Sequence, residues 1–367
     1  MQSTQGSRTR WNLTQPVDRS PELGQSPVMS HVVAVVGATG AVGREMLRVL
    51  EQRRFDLRTL RLLASKRSAG QTLSFMGSQV EVGELTPQSF AGVDIALFSA
   101  GAAVSREFAP IAASAGAVVI DNSSAWRMDE SVPLVVPEVN MGAAERRPKG
   151  IIANPNCATI QMVVALKPLH DAARIRHIVV STYQATSGKG HAAVTELLAQ
   201  ARAVLDGRTV ESRVFPGVIA FNVLCDWKPG DGDYSEEETK IIQETKKILG
   251  DPNIGVSPTT VRVPVVNGHS EALHVQFHRP MKAEEACRLL RDAPGVVLID
   301  GPYAPGRHPQ PVQISGTDPV YVGRVRNDLA IEGALNLFVV GDNLRKGAAL
   351  NAVQIAEQLG RRTSPIR

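Results

Sequence analysis

The chain has few cysteines and few aromatic residues, and neither sign of charge is in large excess. Among its 367 residues there are three cysteines, aromatic residues make up 4%, and the formal net charge is +4. Three distant cysteines without CxxC spacing indicate no disulfide framework and no metal site, and they suit a reducing compartment, the cytoplasm. No block of basic residues indicates nucleic acid, and no apolar run is long enough to span a membrane.

Residues 1–28 lack any apolar periodicity and are rich in Ser, Gln and Pro. They contain no apolar segment of the kind found in a signal peptide. We expect a disordered tail here. Met29 directly precedes the first apolar run and is an alternative start of the chain.

From residue 29 onward, apolar runs alternate with helical patterns. The first part predicts strands at 31–36, 60–64, 93–99 and 117–121, and helices at 44–52 and 104–115. Such alternation is typical of an α/β, Rossmann-type, doubly wound parallel sheet. The later part predicts helices at 158–171, 192–205, 235–249, 284–291 and 347–359, and strands at 175–184, 261–266, 272–278, 320–325 and 334–340. This mixed order indicates a second, α+β domain.

Cys157 follows an apolar run and an Asn-Pro-Asn turn, and it opens a helical pattern. The orphan N–H groups and the positive dipole end of a helix favour a thiolate at that position. A thiolate is the reactive form of cysteine, so we interpret Cys157 as a nucleophile. The simpler alternative is a small buried apolar residue.

A glycine-rich turn links the first predicted strand to the first helix. It has the spacing GxxGxxG rather than GxGxxG, and it comprises Gly37, Ala38, Thr39, Gly40, Ala41, Val42 and Gly43. Glycines there let the backbone approach a pyrophosphate at the helix N-terminus. The pattern is of moderate specificity, because a strand–helix turn without a ligand can look the same.

The end of the second strand distinguishes the two nicotinamide cofactors. An NAD enzyme places Asp or Glu there to bind the ribose 2′-hydroxyl. This chain has Ser65, Lys66, Arg67 and Ser68 instead. Cations and hydroxyls suit a 2′-phosphate, so we predict NADP, with a solvated loop as the alternative.

Arg262 and His269 are candidates for substrate binding and proton transfer. A cation on an apolar strand needs an anionic partner, either a substrate carboxylate or an internal carboxylate. His269 is predicted in a turn, where a histidine with a near-neutral pKa can act as acid and base.

Five further positions next to predicted elements are candidates for ligand binding. Glu237 and Lys240 share one helix face, where a surface ion pair is the simpler interpretation. Arg127 lies in a polar loop after a parallel strand, a usual ligand position. Ser187 and Gly188 lie in a loop that could approach a nicotinamide or a phosphate.

Together these motifs resemble the aspartate-β-semialdehyde dehydrogenase family over nearly the whole chain from Val32. Beyond the glycine-rich turn, the matching segments are Asp121–Ser124, Val135–Asn140, Asn154–Cys157, Gln184–Gly188, Arg262–Val265, Gly268–Ser270 and Asp342–Gly347. The Asn-Cys and Gly-His motifs are specific in this order and spacing. One departure is Cys225, where the family pattern would have proline.

The resemblance implies an NADP-dependent phosphorylating aldehyde dehydrogenase. It would reduce 4-phospho-L-aspartate to L-aspartate 4-semialdehyde and phosphate through a cysteine thioacyl intermediate, toward lysine, threonine, methionine and diaminopimelate. It further implies an NADP-binding domain at 29–155, a catalytic and dimerisation domain at 156–342, a C-terminal helix at 343–367 returning to the first domain, and a homodimer or homotetramer.

The resemblance also implies a role for each site residue. The catalytic residues would be Cys157 as nucleophile, His269 as acid and base, Gln184 as the orienting residue of the acyl intermediate, and Asn156 near the oxyanion. The substrate would be held by Arg262 at its carboxylate, by Glu237 at its amino group, and by Arg127 and Lys240 at its phosphate. The cofactor would contact Gly37, Thr39, Gly40, Ala41, Val42, Gly43, Arg67, Ser68, Ser187, Gly188 and Asn343.

Three alternative assignments compete with this interpretation. N-acetyl-γ-glutamyl-phosphate reductases use the same chemistry but are expected to have His-Pro-Gly-Cys around the cysteine, which is absent here. Glyceraldehyde-3-phosphate dehydrogenases have a different cysteine context and usually use NAD. An inactive relative with a structural role would have no need for Cys157, Gln184, Arg262 and His269.

Overall fold

The computed structural model describes residues 31–225 and 227–362. The predicted tail at 1–28 lies outside the described residues. Two sheets dominate the fold, one of seven strands and one of six. No helix of the described part is long and apolar enough to cross a membrane.

The seven-stranded sheet has the order β3-β4-β2-β1-β5-β6-β7 and is parallel except for β3. Its strands are β1 His31–Val36, β2 Leu57–Ala64, β3 Thr72–Phe75, β4 Ser78–Glu84, β5 Ile95–Phe98, β6 Val118–Asp121 and β7 Ile151–Ala153. Its helices are α1 Ala41–Gln52, α2 Ala102–Ser114 and the short α3 Pro137–Asn140. The predicted Rossmann-type sheet is confirmed.

The six-stranded sheet has the order β11-β12-β13-β10-β8-β9 and is mixed. Its strands are β8 Ile175–Gln184, β9 Gly255–Arg262, β10 His269–Phe277, β11 Val296–Ile299, β12 Val320–Asn327 and β13 Leu335–Gly341. The helices that follow β7 along the chain are α4 Cys157–Ala173, α5 His191–Leu205, α6 Glu236–Leu249, α7 Ala283–Arg291, the short α8 Pro311–Ile314 and α9 Leu350–Arg362. A π-helix at Arg345–Ala349 precedes α9.

Apolar periodicity decides where these elements pack. α4 is apolar on most sides, and it lies in one core with residues of both sheets. α9 packs against α1 and shares the second core, which covers the other face of the seven-stranded sheet. Ser235 and Glu238 form the predicted capping box at the start of α6.

Three parts of the sheets differ from the sequence predictions, and one of them is β11, which was not predicted. The hairpin of β3 and β4 was not predicted, although Leu73 and Phe75 alternate with polar residues and a tight turn with positive φ at Met76 and Gly77 follows. The strand predicted at 261–266 ends at Arg262, because the next residues pair with the loop after β8: Thr186 N–H donates to the Val265 carbonyl at 2.8 Å.

Candidate active site

Cys157 is the first residue of α4, as the sequence predicts. Asn156 caps the helix, because its side-chain Oδ1 accepts hydrogen bonds from the backbone N–H groups of Ala158 at 2.9 Å and Thr159 at 3.3 Å. The cap satisfies donors of the first turn and determines where the helix begins.

Two carboxylates of α6 hold the residue before the thiol. Glu244 Oε2 accepts a hydrogen bond from the Asn156 backbone N–H at 2.6 Å, and Glu237 Oε1 accepts one from Asn156 Nδ2 at 2.7 Å. Both carboxylates are buried. The observed contacts of Asn156 therefore position the first turn of α4.

Arg127 joins the loop after β6 to α6. Its Nη1 lies 3.0 Å from Glu244 Oε1, while Nε and Nη2 donate to the carbonyls of Asn154 and Asn122 at 3.0 and 2.9 Å. A guanidinium has five N–H donors, so these three bonds leave two for a ligand. Because Arg127 also lines the cleft, it can present them to an anion.

Glu237 and Lys240 lie on one face of α6, as their spacing predicts, but they do not form a simple surface pair. Glu237 is 7% exposed and also accepts a long bond of 3.4 Å from Gln184 Nε2. Lys240 Nζ lies 3.4 Å from Glu237 and 2.8 Å from Glu236. Burial lowers the pKa of Lys240, but both carboxylates outweigh burial and raise this pKa above its ordinary value.

Gln184 and Arg262 end β8 and β9 in register with each other. Arg262 Nη1 donates to the Ala185 carbonyl at 2.7 Å, and the guanidinium lies 4.4 Å from the ring centroid of Trp227. Within the described residues no carboxylate forms an ion pair with Arg262. The internal salt bridge considered from the sequence is therefore not seen there, and most donors of this buried cation are left for a ligand.

His269 differs from its prediction as a turn residue with a near-neutral pKa, because it is fully buried at the start of β10. Burial and the nearby Arg262 lower its pKa well below the ordinary value, so the ring is neutral. The backbone N–H of Ala185 donates to Nδ1 at 3.0 Å, which assigns the ring hydrogen to Nε2. Nε2 is buried without a partner in the structure and is available as a donor.

The thiol of Cys157 is not the ready thiolate that its helix position suggested. Burial and the Glu237 carboxylate raise the pKa of Cys157 to about 12, while Arg262 and Arg127 act in the opposite direction. Desolvation penalises the charged form more strongly than the first turn of α4 stabilises it. The sequence could not show this, because both the burial and Glu237 come from distant parts of the chain.

Most of these side chains line one cleft with the glycine-rich turn, whereas Glu244 and His269 do not line it. The cleft has a volume of about 740 Å³. From the first sheet it is lined by Gly40, Ala41, Val42, Ser99, Gly101 and Asn122, and from the second part by Cys157, Gln184, Ser187, Gly188, Trp227, Glu237, Lys240, Arg262 and Asn343. Cys157 and the glycine-rich turn therefore line the same cleft.

The glycine-rich turn is tightly packed. A Cβ on Gly37, which has φ +83°, would lie 2.4 Å from the Ser99 carbonyl oxygen, and one on Gly43 would lie 2.3 Å from that of Gly37. Gly40 caps α1 without a side-chain bond, and the first turn of α1 carries no acidic residue. Backbone donors at a helix start without carboxylates fit the pyrophosphate of a dinucleotide.

The turn at Lys66–Ser68 follows β2 directly. The end of β2 contacts the glycine-rich turn, since the Gly37 N–H donates to the Leu63 carbonyl at 2.8 Å, and the Lys66–Ser68 turn begins three residues later. Lys66 and Arg67 are exposed, and no ion pair of theirs is found in the described part of the chain. Free cations with Ser68 beside them fit a 2′-phosphate.

Ser187 and Asn343 form a small network behind the loop with Gly188. Asn343 Nδ2 donates to Ser187 Oγ at 2.9 Å, and Asn343 Oδ1 accepts the Gly268 N–H at 2.9 Å. A Cβ on Gly188 would lie 3.1 Å from Arg262 Nη1 and 3.2 Å from His269 Nε2. A side chain at position 188 would therefore press against both groups, which would have to move slightly to make room for it.

Three residues near Cys157 were not predicted from the sequence. Glu244 lies seven positions after Glu237 on the same face of α6, a spacing that could have indicated it. Gly347 packs against the nucleophile, because its Cβ would lie 2.8 Å from Cys157 Cβ. Trp227 covers Arg262, and no local pattern indicates that contact.

Two family models match the chain. Residues 32–146 match "Semialdehyde dehydrogenase, NAD binding domain", and residues 166–346 match "Semialdehyde dehydrogenase, dimerisation domain". In the described residues no group of three or more His, Cys, Asp or Glu could hold a metal ion.

Curated relatives and solved structures agree with these models. The aspartate-semialdehyde dehydrogenase of Aquifex aeolicus is 52% identical over 336 residues, covering 90% of this chain and 98% of the relative. A crystal structure of aspartate semialdehyde dehydrogenase II from Vibrio cholerae complexed with ASA has a TM-score of 0.88 and 49% identity, over 91% of this chain and 99% of that one. A structure with NADP from Candida albicans has a TM-score of 0.71 and 27% identity, over 90% of this chain and 98% of that one. The chain therefore belongs to the aspartate-semialdehyde dehydrogenase family.

Proposed function

We propose that Cys157 is the nucleophile with which this chain carries out the activity of its family, the NADP-dependent interconversion of 4-phospho-L-aspartate and L-aspartate 4-semialdehyde. The observation that supports this most is the shared cleft, in which Cys157 lies between the glycine-rich turn and a set of complementary charges. The substrate has one ammonium, one carboxylate and one phosphoryl group. The cleft offers one group or pair of groups for each.

Arg262 is proposed to bind the substrate carboxylate, because it is buried and has donors left for a bidentate contact. Glu237 is proposed to bind the ammonium. Arg127 and Lys240 are proposed to bind the phosphate, each from a position at the cleft wall. Three fixed contacts would orient the acyl carbon toward Cys157 Sγ.

Ammonium binding would also prepare the nucleophile. The Glu237 carboxylate is one of the two main causes that raise the pKa of Cys157. A substrate ammonium paired with Glu237 would neutralise that carboxylate and lower the pKa of the thiol. Thiolate would therefore form when substrate is present, which limits side reactions of the free enzyme.

The proposed chemistry has two parts. Cys157 Sγ attacks the acyl carbon, a C–S bond forms, and the C–O bond to phosphate breaks, with Gln184 orienting the resulting thioester. Bound NADPH supplies the hydride that reduces the thioester carbon. The C–S bond then breaks, which releases the semialdehyde and regenerates the thiolate.

His269 is proposed as the acid and base of this sequence. In the present state its Nε2–H can donate to the oxygen that develops negative charge. Nε2 already carries the ring hydrogen, so it could accept a proton only in the other tautomer, in which Nδ1 carries hydrogen and no longer accepts the Ala185 N–H. The donor role is therefore the one that the resting geometry supports directly.

NADP is the cofactor of the family, and the chain's own residues fit it. Gly37, Thr39, Gly40, Ala41, Val42 and Gly43 are proposed to hold the pyrophosphate, Arg67 and Ser68 the 2′-phosphate, and Ser187, Gly188 and Asn343 the nicotinamide end.

The assembly is proposed to be a homodimer, or a homotetramer built from two such dimers. One face of the six-stranded sheet is open, and it exposes apolar residues such as Val179 and Tyr183 of β8 and Val297 of β11. A second copy would cover this apolar face. Light scattering of the eluted peak in size-exclusion chromatography separates monomer, dimer and tetramer.

We propose an NADP-binding domain at 29–155, a catalytic and dimerisation domain at 156–342, and a C-terminal segment at 343–367 that returns to the first domain. The two separate sheets and the packing of α9 against α1 support this division. We also propose a reducing compartment, the cytoplasm, which suits three free cysteines.

The test of the function is phosphate-dependent reduction of NADP with L-aspartate 4-semialdehyde, run beside N-acetylglutamate semialdehyde. We expect turnover with the first aldehyde, a dependence on phosphate, and little turnover with the second. Preference for the N-acetylated substrate would overturn the substrate assignment. No turnover with either would favour a non-enzymatic role.

A further inference from the structure

Trp227 lies in the cleft between the substrate-binding candidates and the edge of the six-stranded sheet. Its indole ring lies 4.4 Å from the Arg262 guanidinium, measured from ring centroid to Cζ. Its Nε1–H donates to the Thr260 carbonyl at 3.0 Å, two residues before Arg262 on β9. The ring is therefore anchored to the same strand as the cation that it covers.

The segment that carries Trp227 is itself bound to β9, the edge strand. The backbone N–H of Leu224 donates to the Arg262 carbonyl at 3.0 Å, and the Arg262 N–H donates to the Leu224 carbonyl at 2.7 Å. These two bonds form an antiparallel bridge. Together with the Thr260 contact, they place the indole in one position relative to Arg262.

Arg262 needs such support more than an ordinary arginine does. It is 6% exposed, and only one side-chain hydrogen bond, to the Ala185 carbonyl, holds it in the described residues. Gly188 lies against its Nη1 end. A planar guanidinium with several free donors recognises a carboxylate well only if its plane is held in one orientation.

We infer that Trp227 is a positioning residue for substrate recognition, because its ring holds the Arg262 guanidinium in the plane in which its free N–H groups face the substrate carboxylate. The inference rests on the proposed role of Arg262. It adds that recognition of the carboxylate depends on the aromatic face of residue 227 and not on the charge of Arg262 alone.

The test compares Trp227→Leu, which removes the aromatic face, with Trp227→Phe, which keeps it and loses only the bond to Thr260. We expect Trp227→Leu to raise KM for L-aspartate 4-semialdehyde about tenfold, with KM for NADP unchanged. Trp227→Phe should stay within about threefold of the unchanged chain. Thermal melting of both variants shows whether they are folded.

A second substrate separates positioning from general packing. The aldehyde 3-aminopropanal lacks the carboxylate, so its kcat/KM should be almost the same in the unchanged chain and in Trp227→Leu. The preference for the semialdehyde over 3-aminopropanal should therefore fall about tenfold in the variant. Equal losses for both aldehydes would overturn the inference, because they would indicate a structural residue.

The variant Arg262→Lys tests the proposed role of Arg262 separately from the inference on Trp227. If this variant loses the preference for the carboxylate and Trp227→Leu retains it, the inference on Trp227 is wrong and the proposed role of Arg262 stands. If Arg262→Lys itself retains the preference, the carboxylate assignment fails, and the inference fails with it.

Discussion

The two sides of the cleft offer charge to a ligand in different ways. The side formed by the seven-stranded sheet presents the backbone at Gly40 and the start of α1, and the exposed cations Lys66 and Arg67 follow β2 of the same sheet. The opposite side presents ionisable groups that are buried or half-buried and bonded to one another, such as Glu237 with Lys240. On the opposite side, burial shifts the pKa of several groups, among them Cys157, Arg262 and His269.

This difference affects what a single substitution does. An exposed cation contributes modestly, because solvent screens its charge. A buried group such as Arg262 has already lost its hydration, so its partner and its geometry matter more. We therefore expect changes on the catalytic side to have larger effects, and the following predictions test that order from the largest effect to the smallest.

Cys157→Ala should abolish turnover, with a fall in kcat of about four orders of magnitude or more, because no other group can form the acyl intermediate. NADP affinity and melting temperature should change little. Cys157→Ser should retain little activity, since an alkoxide is much harder to form than a thiolate. The matched control is Cys287→Ala on α7. Substantial phosphate-dependent activity of Cys157→Ala would contradict the role of the thiol.

Arg262→Lys should lower kcat/KM for the semialdehyde by about one to three orders of magnitude, because lysine keeps the charge but loses the planar fork. NADP affinity should stay nearly unchanged. Arg279→Lys, at an exposed ion pair with Glu285, is the control. A loss of melting temperature with a normal KM would instead show that Arg262 is structural.

Arg67→Ala should weaken NADP binding by about tenfold and NAD binding by less than about twofold, since only NADP carries the 2′-phosphate. Arg58→Ala, an exposed arginine at the opposite end of β2, should leave both affinities unchanged. Binding titrations of both variants with NADP and with NAD measure these affinities. Equal losses for NADP and NAD would remove Arg67 from the 2′-phosphate site.

Glu271→Gln should give the smallest effect, a pH-dependent gain in stability. Glu271 is fully buried without a well-formed hydrogen bond to its carboxyl oxygens, and burial raises its pKa well above the ordinary value. Above the unfolded-state pKa, the unfolded chain loses a proton that the folded chain keeps. The folded state of the unchanged chain therefore loses about 1.4 kcal/mol per pH unit up to the folded-state pKa.

Glutamine does not ionise, so the stability of Glu271→Gln lacks this pH-dependent loss. The difference in melting temperature between Glu271→Gln and the unchanged chain should be near zero at pH 4 and should grow as the pH rises, reaching a few degrees near neutral pH. The exposed Glu284→Gln is the control. A difference that is constant with pH would mean that Glu271 is ionised in the folded protein.

Much of the fold could be predicted from short-range patterns. Apolar runs mark most strands, Ser235 with Glu238 marks the start of α6, and Cys157 is at the start of α4 as its context predicts. The β3–β4 hairpin was missed because its short strands carry few apolar residues. The end of β9 was misplaced because the residues after Arg262 remain apolar while they pair with another loop.

The sequence alone determined which chemical groups the chain has and which lie next to one another along it: Cys157 after Asn156, the glycine-rich turn, and cations instead of an acidic residue after β2. Only the tertiary structure decided that Glu244 and Glu237 hold Asn156, that Trp227 covers Arg262, and that His269 is buried and neutral. The reason is physical. Propensity and capping act over a few residues, whereas burial and charge–charge distances depend on segments far apart in the chain, which meet only when it folds.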